Sequence, residues 1–235
     1  MDKDTKKALI ILLTIVVIAL TLLGLDGWWK RQNKFVYEEH LDDIVLTVND
    51  RQVTLRELGY YVYDVETKID KQARIYNSED PLDYWNTYFN SGVEGGYISE
   101  MALDIVLESC VCDLIYEDMA RTNKYELTTE EKKEVGKKAE VLFARLSGEQ
   151  IQKTGLTQEL IEEAMEREAL VVKFASEYFE EVDFTGYSGY REELVSYAGD
   201  YYKNEILPQY KVEYRQRIVQ ELSIGRITTD YVSRY

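Results

Sequence analysis

Hydrophobic residues are distributed along the chain in two different ways. Residues 8–25 form one run of eighteen residues without a charged side chain. From residue 44 onward, apolar residues occur in short strand-like runs or recur every three or four positions, as on one face of a helix. The first pattern predicts a transmembrane helix. The second predicts a folded domain that is mainly helical and carries a small β-hairpin.

The uncharged run has the length and the flanks of a retained membrane anchor. As a helix it would span about 27 Å, close to the hydrocarbon thickness of a bilayer. A cleaved signal peptide would have a shorter apolar stretch ending in small residues. Here Trp28, Trp29, Lys30 and Arg31 follow the run, and these residue types favour the membrane–water interface. We therefore predict that residues 1–34 comprise a tail, the anchor and an interface belt.

The charges beside the anchor do not determine its orientation. Three lysines precede the run, and two lysines and an arginine follow it closely, so the positive-inside rule gives a tie. A short basic tail before one span is the usual signal-anchor arrangement. We therefore expect a single-pass protein of the cell membrane, with a cytoplasmic N-terminus and an extracytoplasmic domain.

The domain is predicted to open with a β-hairpin that leads directly into a helix. Ile44–Val48 and residues 51–53 read as short strands joined by a turn at Asn49. Thr54 and Glu57 have the spacing of a capping box. The apolar stripe of the helix that follows is Leu55, Leu58, Val62, Val65, Ile69 and Tyr76.

A short second helix is predicted to begin at Pro81 and to end in a glycine-rich stretch. It carries four aromatic residues, Tyr84, Trp85, Tyr88 and Phe89. Rigid apolar rings on a short edge element suit contact with extended polypeptide, so these four residues are the candidate binding site. The competing interpretation is that the rings cover the core, which is common for large aromatic residues.

Three longer helices are predicted in the middle of the chain. The first covers residues 97–121, and its expected buried residues are Ile98, Met101, Ala102, Ile105, Cys112, Ile115 and Met119. The second begins at a capping box of Thr128 and Glu131 and stops at a Ser-Gly pair. The third is capped by Thr157. Because the connections are short, we expect antiparallel packing.

The chain is expected to divide into three regions, at residues 1–34, 35–183 and 184–235. A linker of glycine, serine and tyrosine separates the second region from the third, in which tyrosine-rich helical pieces are interrupted at Pro208. Residues 224–232 favour a strand. Such a strand would cover an exposed edge of the early hairpin, and we expect the two to pair.

Composition argues against several classes of function. The chain has 44 acidic and 28 basic residues and a net charge of −16, which disfavours binding to nucleic acid. His40 is the single histidine, so no His/Cys cluster with metal spacing exists. Cys110 and Cys112 would point about 200° apart on a helix and are expected to be small buried side chains. We predict no cofactor, no metal and no catalytic residue.

Residues 48–58, VNDRQVTLREL, resemble the opening of the SurA-like N-terminal domain. In that family a V-N-G-x-x-I-T-x-x-E-F pattern leads from a strand into the first helix, and Asp50 stands here where the pattern has glycine. LTTEE at 127–131, GLTQELI at 155–161 and REALVVK at 167–173 are similar to the family's last helices. The resemblance covers roughly residues 44–180.

The resemblance implies a function as well as a fold. Members of the family, including PrsA-like lipoproteins, are extracytoplasmic chaperones that often carry a parvulin-type prolyl isomerase domain. We therefore expect a protein of the bacterial envelope that binds unfolded or secreted polypeptides. We do not expect isomerase activity, because residues 181–235 are too few for that domain and contain no histidine or cysteine. As an alternative, twenty tyrosines also suit a subunit that recognises one envelope partner.

Overall fold

A computed structural model describes residues 35–90 and 95–229 of the protein. Over these residues the protein is mainly helical, with two small antiparallel sheets. The predicted anchor at residues 8–25 and its interface residues, Trp28, Trp29, Lys30 and Arg31, lie outside the described residues. Within the described ranges, no helix is both long enough and apolar enough to cross a membrane.

The elements follow one another in a simple order. They are β1 (Ile44–Val48), β2 (Arg51–Thr54), α1 (Leu55–Tyr76), α2 (Leu82–Trp85), β3 (Tyr88–Asn90), β4 (Gly95–Tyr97), α3 (Ile98–Thr122), α4 (Thr129–Phe143), α5 (Gly148–Thr154), α6 (Gln158–Tyr178), α7 (Arg191–Leu194), β5 (Val212–Tyr214) and α8 (Gln216–Glu221). A 3-10 turn at Tyr37–Glu39 precedes β1. A π-helical turn at Tyr202–Ile206 and a 3-10 turn at Leu207–Gln209 precede β5.

Helix α3 is the centre of the helical core. It packs against both α1 and α6, and α6 packs in turn against α4. Because α3 has several neighbours, it is buried over much of its circumference, at Ala102, Val106, Leu107, Cys110, Val111, Cys112, Leu114, Ile115, Tyr116 and Ala120. The helix itself is confirmed. Its predicted single stripe is wrong at Met101, which is exposed, and at Ile98, Ile105 and Met119, which are half-buried.

The predicted hairpin is confirmed and forms part of a three-stranded sheet. Strand β1 lies between β2 and β5 and is antiparallel to both. Asn49 adopts the left-handed conformation at the turn, with a φ of 51°. Its side-chain oxygen accepts a hydrogen bond from the Lys211 N–H at 2.9 Å, so the turn also fixes the start of β5.

The strand that covers this hairpin is not the one expected. Pairing with β1 comes from Val212–Tyr214, whereas residues 224–229 of the expected tail strand form no strand. Val212 and Tyr214 are half-buried and alternate with the exposed Glu213, which suits a strand at the edge of a sheet. The backbone N–H groups of Gly225, Ile227 and Thr228 instead donate hydrogen bonds to the buried carboxylate of Glu66.

The helix starts are confirmed, and one helix length is not. Thr54 and Thr128 accept hydrogen bonds from the backbone of the third helical residue, as predicted for capping boxes, and Thr157 caps α6 in the same way. The predicted second helix is a single turn, α2. Tyr88 and Phe89 lie beyond it on β3, because these β-favouring residues pair with β4 instead of continuing the helix.

The region after residue 183 packs into the same core as the helices. Tyr116 of α3 contacts the rings of Phe174, Phe179 and Tyr202, and its hydroxyl donates a hydrogen bond of 2.5 Å to the Val195 carbonyl oxygen. Tyr202 and Val195 both belong to the region that the sequence sets apart as 184–235. Residues from Tyr37 onward accordingly group as one compact unit.

Candidate functional site

The structure separates the four aromatic residues of the predicted binding site. Tyr88 and Phe89 have exposed fractions of 56% and 51%, and Tyr84 is half-buried. Trp85 is only 3% exposed. Trp85 is therefore a core residue, as the competing interpretation of these aromatic residues predicts, and its ring is not part of the exposed surface.

The hairpin formed by β3 and β4 holds its rings in a fixed arrangement. Tyr88 pairs with Tyr97 across the two strands, and their ring centroids lie 5.5 Å apart at an interplanar angle of 83°. Edge-to-face pairs of this kind contribute about 0.5–1.5 kcal/mol beyond the area they bury. The Tyr88 ring lies across Gly95, where a Cβ atom would be 2.6 Å from the tyrosine hydroxyl. Glycine at 95 thus makes this ring position possible.

Further exposed apolar side chains come from the two helices next to the hairpin. Ile75 and Tyr76 end α1, and Met101 lies in the first turn of α3. Tyr76 contacts the ring of Tyr84 at a centroid distance of 5.3 Å. We name the following residues the aromatic surface: Ile75, Tyr76, Tyr88, Phe89, Tyr97 and Met101. Single exposed apolar residues are ordinary, whereas several on consecutive elements often mark a site of interaction.

Sequence reasoning found two members of the aromatic surface and missed the rest. It assigned Tyr76 and Met101 to buried stripes, because both continue the helical spacing of their helices. In the structure both residues are exposed. The usable signal was the position of both residues at helix ends, each close to the aromatic or glycine-rich stretch at 84–97.

A second feature is a polar cleft of about 590 Å³, lined by residues of β2, α3, α4 and α6 and of the loop at 123–128. Its lining includes Arg51, Arg121, Lys132 and Arg167 together with four glutamates. We name this feature the charged cleft. In a chain with a net charge of −16, it is a place where basic residues gather.

Glu117 is held between two arginines at the charged cleft. Its Oε2 atom lies 2.8 Å from Arg167 Nε, and its Oε1 atom lies 2.7 Å from Arg121 Nη2. Burial alone would raise the pKa of Glu117, but hydrogen bonds from Arg121 and Arg167 outweigh it and the pKa lies below its usual value. The carboxylate therefore stays charged and fixes the direction of both guanidinium groups.

A buried polar network lies next to Arg167. The Tyr61 hydroxyl donates to Asp113 Oδ2 at 3.0 Å and is 3.5 Å from Arg167 Nη1. The Tyr60 hydroxyl donates to Glu168 Oε2 at 2.9 Å. Burial, followed by the charge of Glu168, raises the pKa of Asp113 to about 7. Burial also raises the pKa of Glu168.

This network was not predicted, because its residues come from three separate helices. Tyr60 and Tyr61 belong to α1, Asp113 to α3, and Arg167 and Glu168 to α6. No two adjacent residues of the sequence indicate such a contact. The available signal was a set of polar residues within otherwise apolar helix faces.

The two cysteines behave as the sequence predicts. Both are free and buried. Burial raises the pKa of Cys110 to about 12 and that of Cys112 further, so neither is a reactive thiolate near neutral pH. In the ranges 35–90 and 95–229, no group of three or more His, Cys, Asp or Glu residues is placed to hold a metal ion.

Comparison with known protein families, with curated proteins and with solved structures found no significant match. The likeness of residues 44–180 to SurA-like domains therefore stays a prediction that rests on the sequence motifs. What the geometry offers is a surface of exposed rings and a cleft of fixed charges, and both suit the binding of another molecule.

Proposed function

We propose that this protein is a membrane-anchored, extracytoplasmic chaperone-like protein that binds unfolded segments of secreted polypeptides and needs no cofactor. The observation that carries this proposal is the aromatic surface. It presents the exposed rings of Tyr88, Phe89 and Tyr97 on a small hairpin, where Tyr88 and Tyr97 pair edge to face. The SurA-like motifs in the sequence support the same function.

The size of the aromatic surface fits weak binding of many sequences. Covering the exposed half of one aromatic ring removes about 100 Å² of apolar area from water, which contributes ~2–3 kcal/mol at about 25 cal/mol per Å². Three such rings contribute roughly 6–9 kcal/mol before the entropy lost on association is subtracted. The binding free energy that remains after this subtraction corresponds to weak, reversible binding.

The hairpin also offers main-chain hydrogen bonds. Among the residues that the structure describes, this sheet has two strands, so each strand has one edge that pairs with no other described strand. An extended polypeptide can add to such an edge. Backbone pairing does not depend on the side chains of the added chain. Ring contact and backbone pairing together suit clients that share no sequence.

The proposed anchor would tether the folded domain to the membrane. Residues 8–25 would hold the domain where secreted proteins emerge, and a chain with a net charge of −16 is repelled by anionic lipid.

Aggregation of a chemically unfolded client tests the proposal. We expect the full chain in lipid nanodiscs to suppress light scattering at a few-fold excess over client. A double Tyr88→Ser and Phe89→Ser variant should lose most of this activity, because it removes two exposed rings and leaves Trp85 in place. Tyr190→Ser is the matched control, since Tyr190 is exposed but lies outside the aromatic surface. Equal suppression by all three proteins would contradict the proposal.

A second function, recognition of one defined envelope partner, is favoured by the charged cleft. A fixed pattern of opposite charges selects a partner with the complementary charges, whereas exposed aromatic rings can bind many apolar sequences. A photo-crosslinker at Lys132, which lines the cleft, and one at Tyr88 separate the two functions in intact membranes. One discrete product from Lys132 supports a single partner. A broad mixture from Tyr88 supports the chaperone-like function.

A further inference from the structure

Glu66 of α1 is a fully buried carboxylate, with 0% of its surface exposed. Its four hydrogen bonds from described residues all come from one short segment near the C-terminus. Oε1 accepts from the N–H groups of Gly225 at 2.5 Å and Ile227 at 3.1 Å. Oε2 accepts from the N–H and the hydroxyl of Thr228, at 2.5 and 2.6 Å. Both carboxylate oxygens of Glu66 are thus bound by this segment.

The segment at residues 222–228 lies in its groove as a bound peptide would. It has no helix or strand, and its apolar side chains, Leu222, Ile224 and Ile227, are buried. Gln150 of α5 donates a hydrogen bond of 2.6 Å to the Thr228 carbonyl oxygen. We name the space that holds the segment the Glu66 groove, defined by Glu66, Trp85 and Gln150.

Recognition in the Glu66 groove is mainly of the main chain. Three of the four hydrogen bonds to Glu66 come from backbone N–H groups, which every residue except proline possesses. Side chains set two restrictions. A Cβ atom at Gly225 would lie 2.6 Å from the Trp85 ring, and the φ of Gly225 is +103°, so glycine is required there. Ile224 and Ile227 fill apolar space on either side.

The segment at residues 222–228 follows β5 closely in the sequence. It is joined to β5 through α8, in which no residue is buried. The groove also adjoins the aromatic surface, because Trp85 lies at its wall and β3 begins three residues later at Tyr88.

We propose that the Glu66 groove is a peptide-binding site, which takes an extended segment with glycine between branched aliphatic residues and threonine after them, and which the chain's own residues 222–228 fill in this structure. This inference rests on the proposed function and deepens it. A client held at the aromatic surface places its segments beside the groove, where one of them displaces residues 222–228. The tethered segment has an effective concentration of order mM, so it excludes weak peptides that are not held elsewhere.

A labelled peptide with the sequence LSIGRITT, which copies residues 222–229, tests the site by fluorescence polarisation on the full chain in nanodiscs. Wild-type protein should bind it weakly, because its own segment competes. An Ile224→Ser and Ile227→Ser double variant should bind it at least tenfold more tightly. Adding Glu66→Gln to that variant should remove the gain. A peptide with isoleucine in place of the glycine should not bind any of these proteins.

A measurement on wild-type protein guards against failure of the double variant to fold. Amide exchange at Gly225, Ile227 and Thr228 should accelerate when unfolded client is added, and exchange in α3 should not change. No acceleration, together with no peptide binding by a folded double variant, would overturn the groove proposal. If Tyr88→Ser and Phe89→Ser still abolished suppression of aggregation, the chaperone-like function would stand without it. Peptide binding without any suppression of aggregation would support the groove proposal and contradict the chaperone-like function.

Discussion

Replacing Glu66 by glutamine measures how strongly the buried carboxylate holds residues 222–228. The carboxylate accepts four hydrogen bonds through two oxygen atoms. Glutamine keeps its shape but has one oxygen, and its NH2 group can only donate. The best orientation puts the nitrogen beside Thr228, whose hydroxyl can turn and accept. The backbone N–H of Thr228 is then left without an acceptor.

The expected magnitude follows from these contacts. A buried N–H without an acceptor costs about 1–3 kcal/mol. The hydrogen bonds that remain from Gly225 and Ile227 lose their charge assistance, about 1 kcal/mol each. Removing the charge also removes its desolvation cost, which offsets part of the loss. We expect Glu66→Gln to weaken attachment of the segment by about 2–4 kcal/mol.

Amide exchange and tryptophan fluorescence are suitable assays. A change of about 2–4 kcal/mol should accelerate exchange at Gly225, Ile227 and Thr228 roughly 30- to 1000-fold. Trp85 packs against Gly225, so its emission should shift to longer wavelength when the segment is released. Trp28 and Trp29 are the other tryptophans of the chain, and both are replaced by phenylalanine in this experiment.

Glu163→Gln is the matched control, because Glu163 is an exposed glutamate of the charged cleft. We expect it to change stability by less than about 0.5 kcal/mol, as most surface substitutions do. If Glu66→Gln left exchange at residues 225–228 as slow as in the control, the carboxylate would not be what holds the segment.

Three further predictions concern the core. Asp113 has a pKa raised from 3.8 to about 7 in the folded protein, so the folded state binds more protons than the unfolded state between these values. Stability should therefore fall as the pH rises from about 4 to 7, by at most ~4 kcal/mol, and Asp113→Asn should flatten this dependence in urea unfolding at pH 5 and pH 8. Tyr116→Phe should cost about 1–2 kcal/mol in the same assay, because it leaves the buried carbonyl of Val195 without its donor. Thr54→Ala removes the cap of α1 and should lower the melting temperature in line with a loss of about 1 kcal/mol, whereas Thr54→Ser should restore it.

Local hydrogen bonding explains which parts of the fold could be predicted. The cap of Thr54 by Glu57 and the turn at Asn49 involve residues three or fewer positions apart, so the sequence contains the whole interaction. The burial of Trp85 was one of two interpretations of the sequence, and local spacing could not decide between them. It depends on Gly225, which arrives from far along the chain.

The strands at the end of the chain show the same limit. Residues 224–229 have strand-forming composition, yet the buried Glu66 carboxylate competes for their backbone N–H groups. Residues 212–214 have a weaker pattern but reach β1, because Asn49 binds Lys211 directly before them. The outcome depends on which acceptor lies nearby in the folded protein, and spacing along the sequence does not contain that information.

The position of β5 has a consequence for the order in which the protein can fold. Asn49 and Lys211 form a hydrogen bond although they are 162 positions apart. The edge of β1 that pairs with β5 therefore stays open until the chain has been synthesised beyond Lys211. At about 5–20 residues per second, that wait is roughly 10–30 s. During synthesis the early hairpin therefore keeps an open edge, to which other strands can add, until β5 arrives.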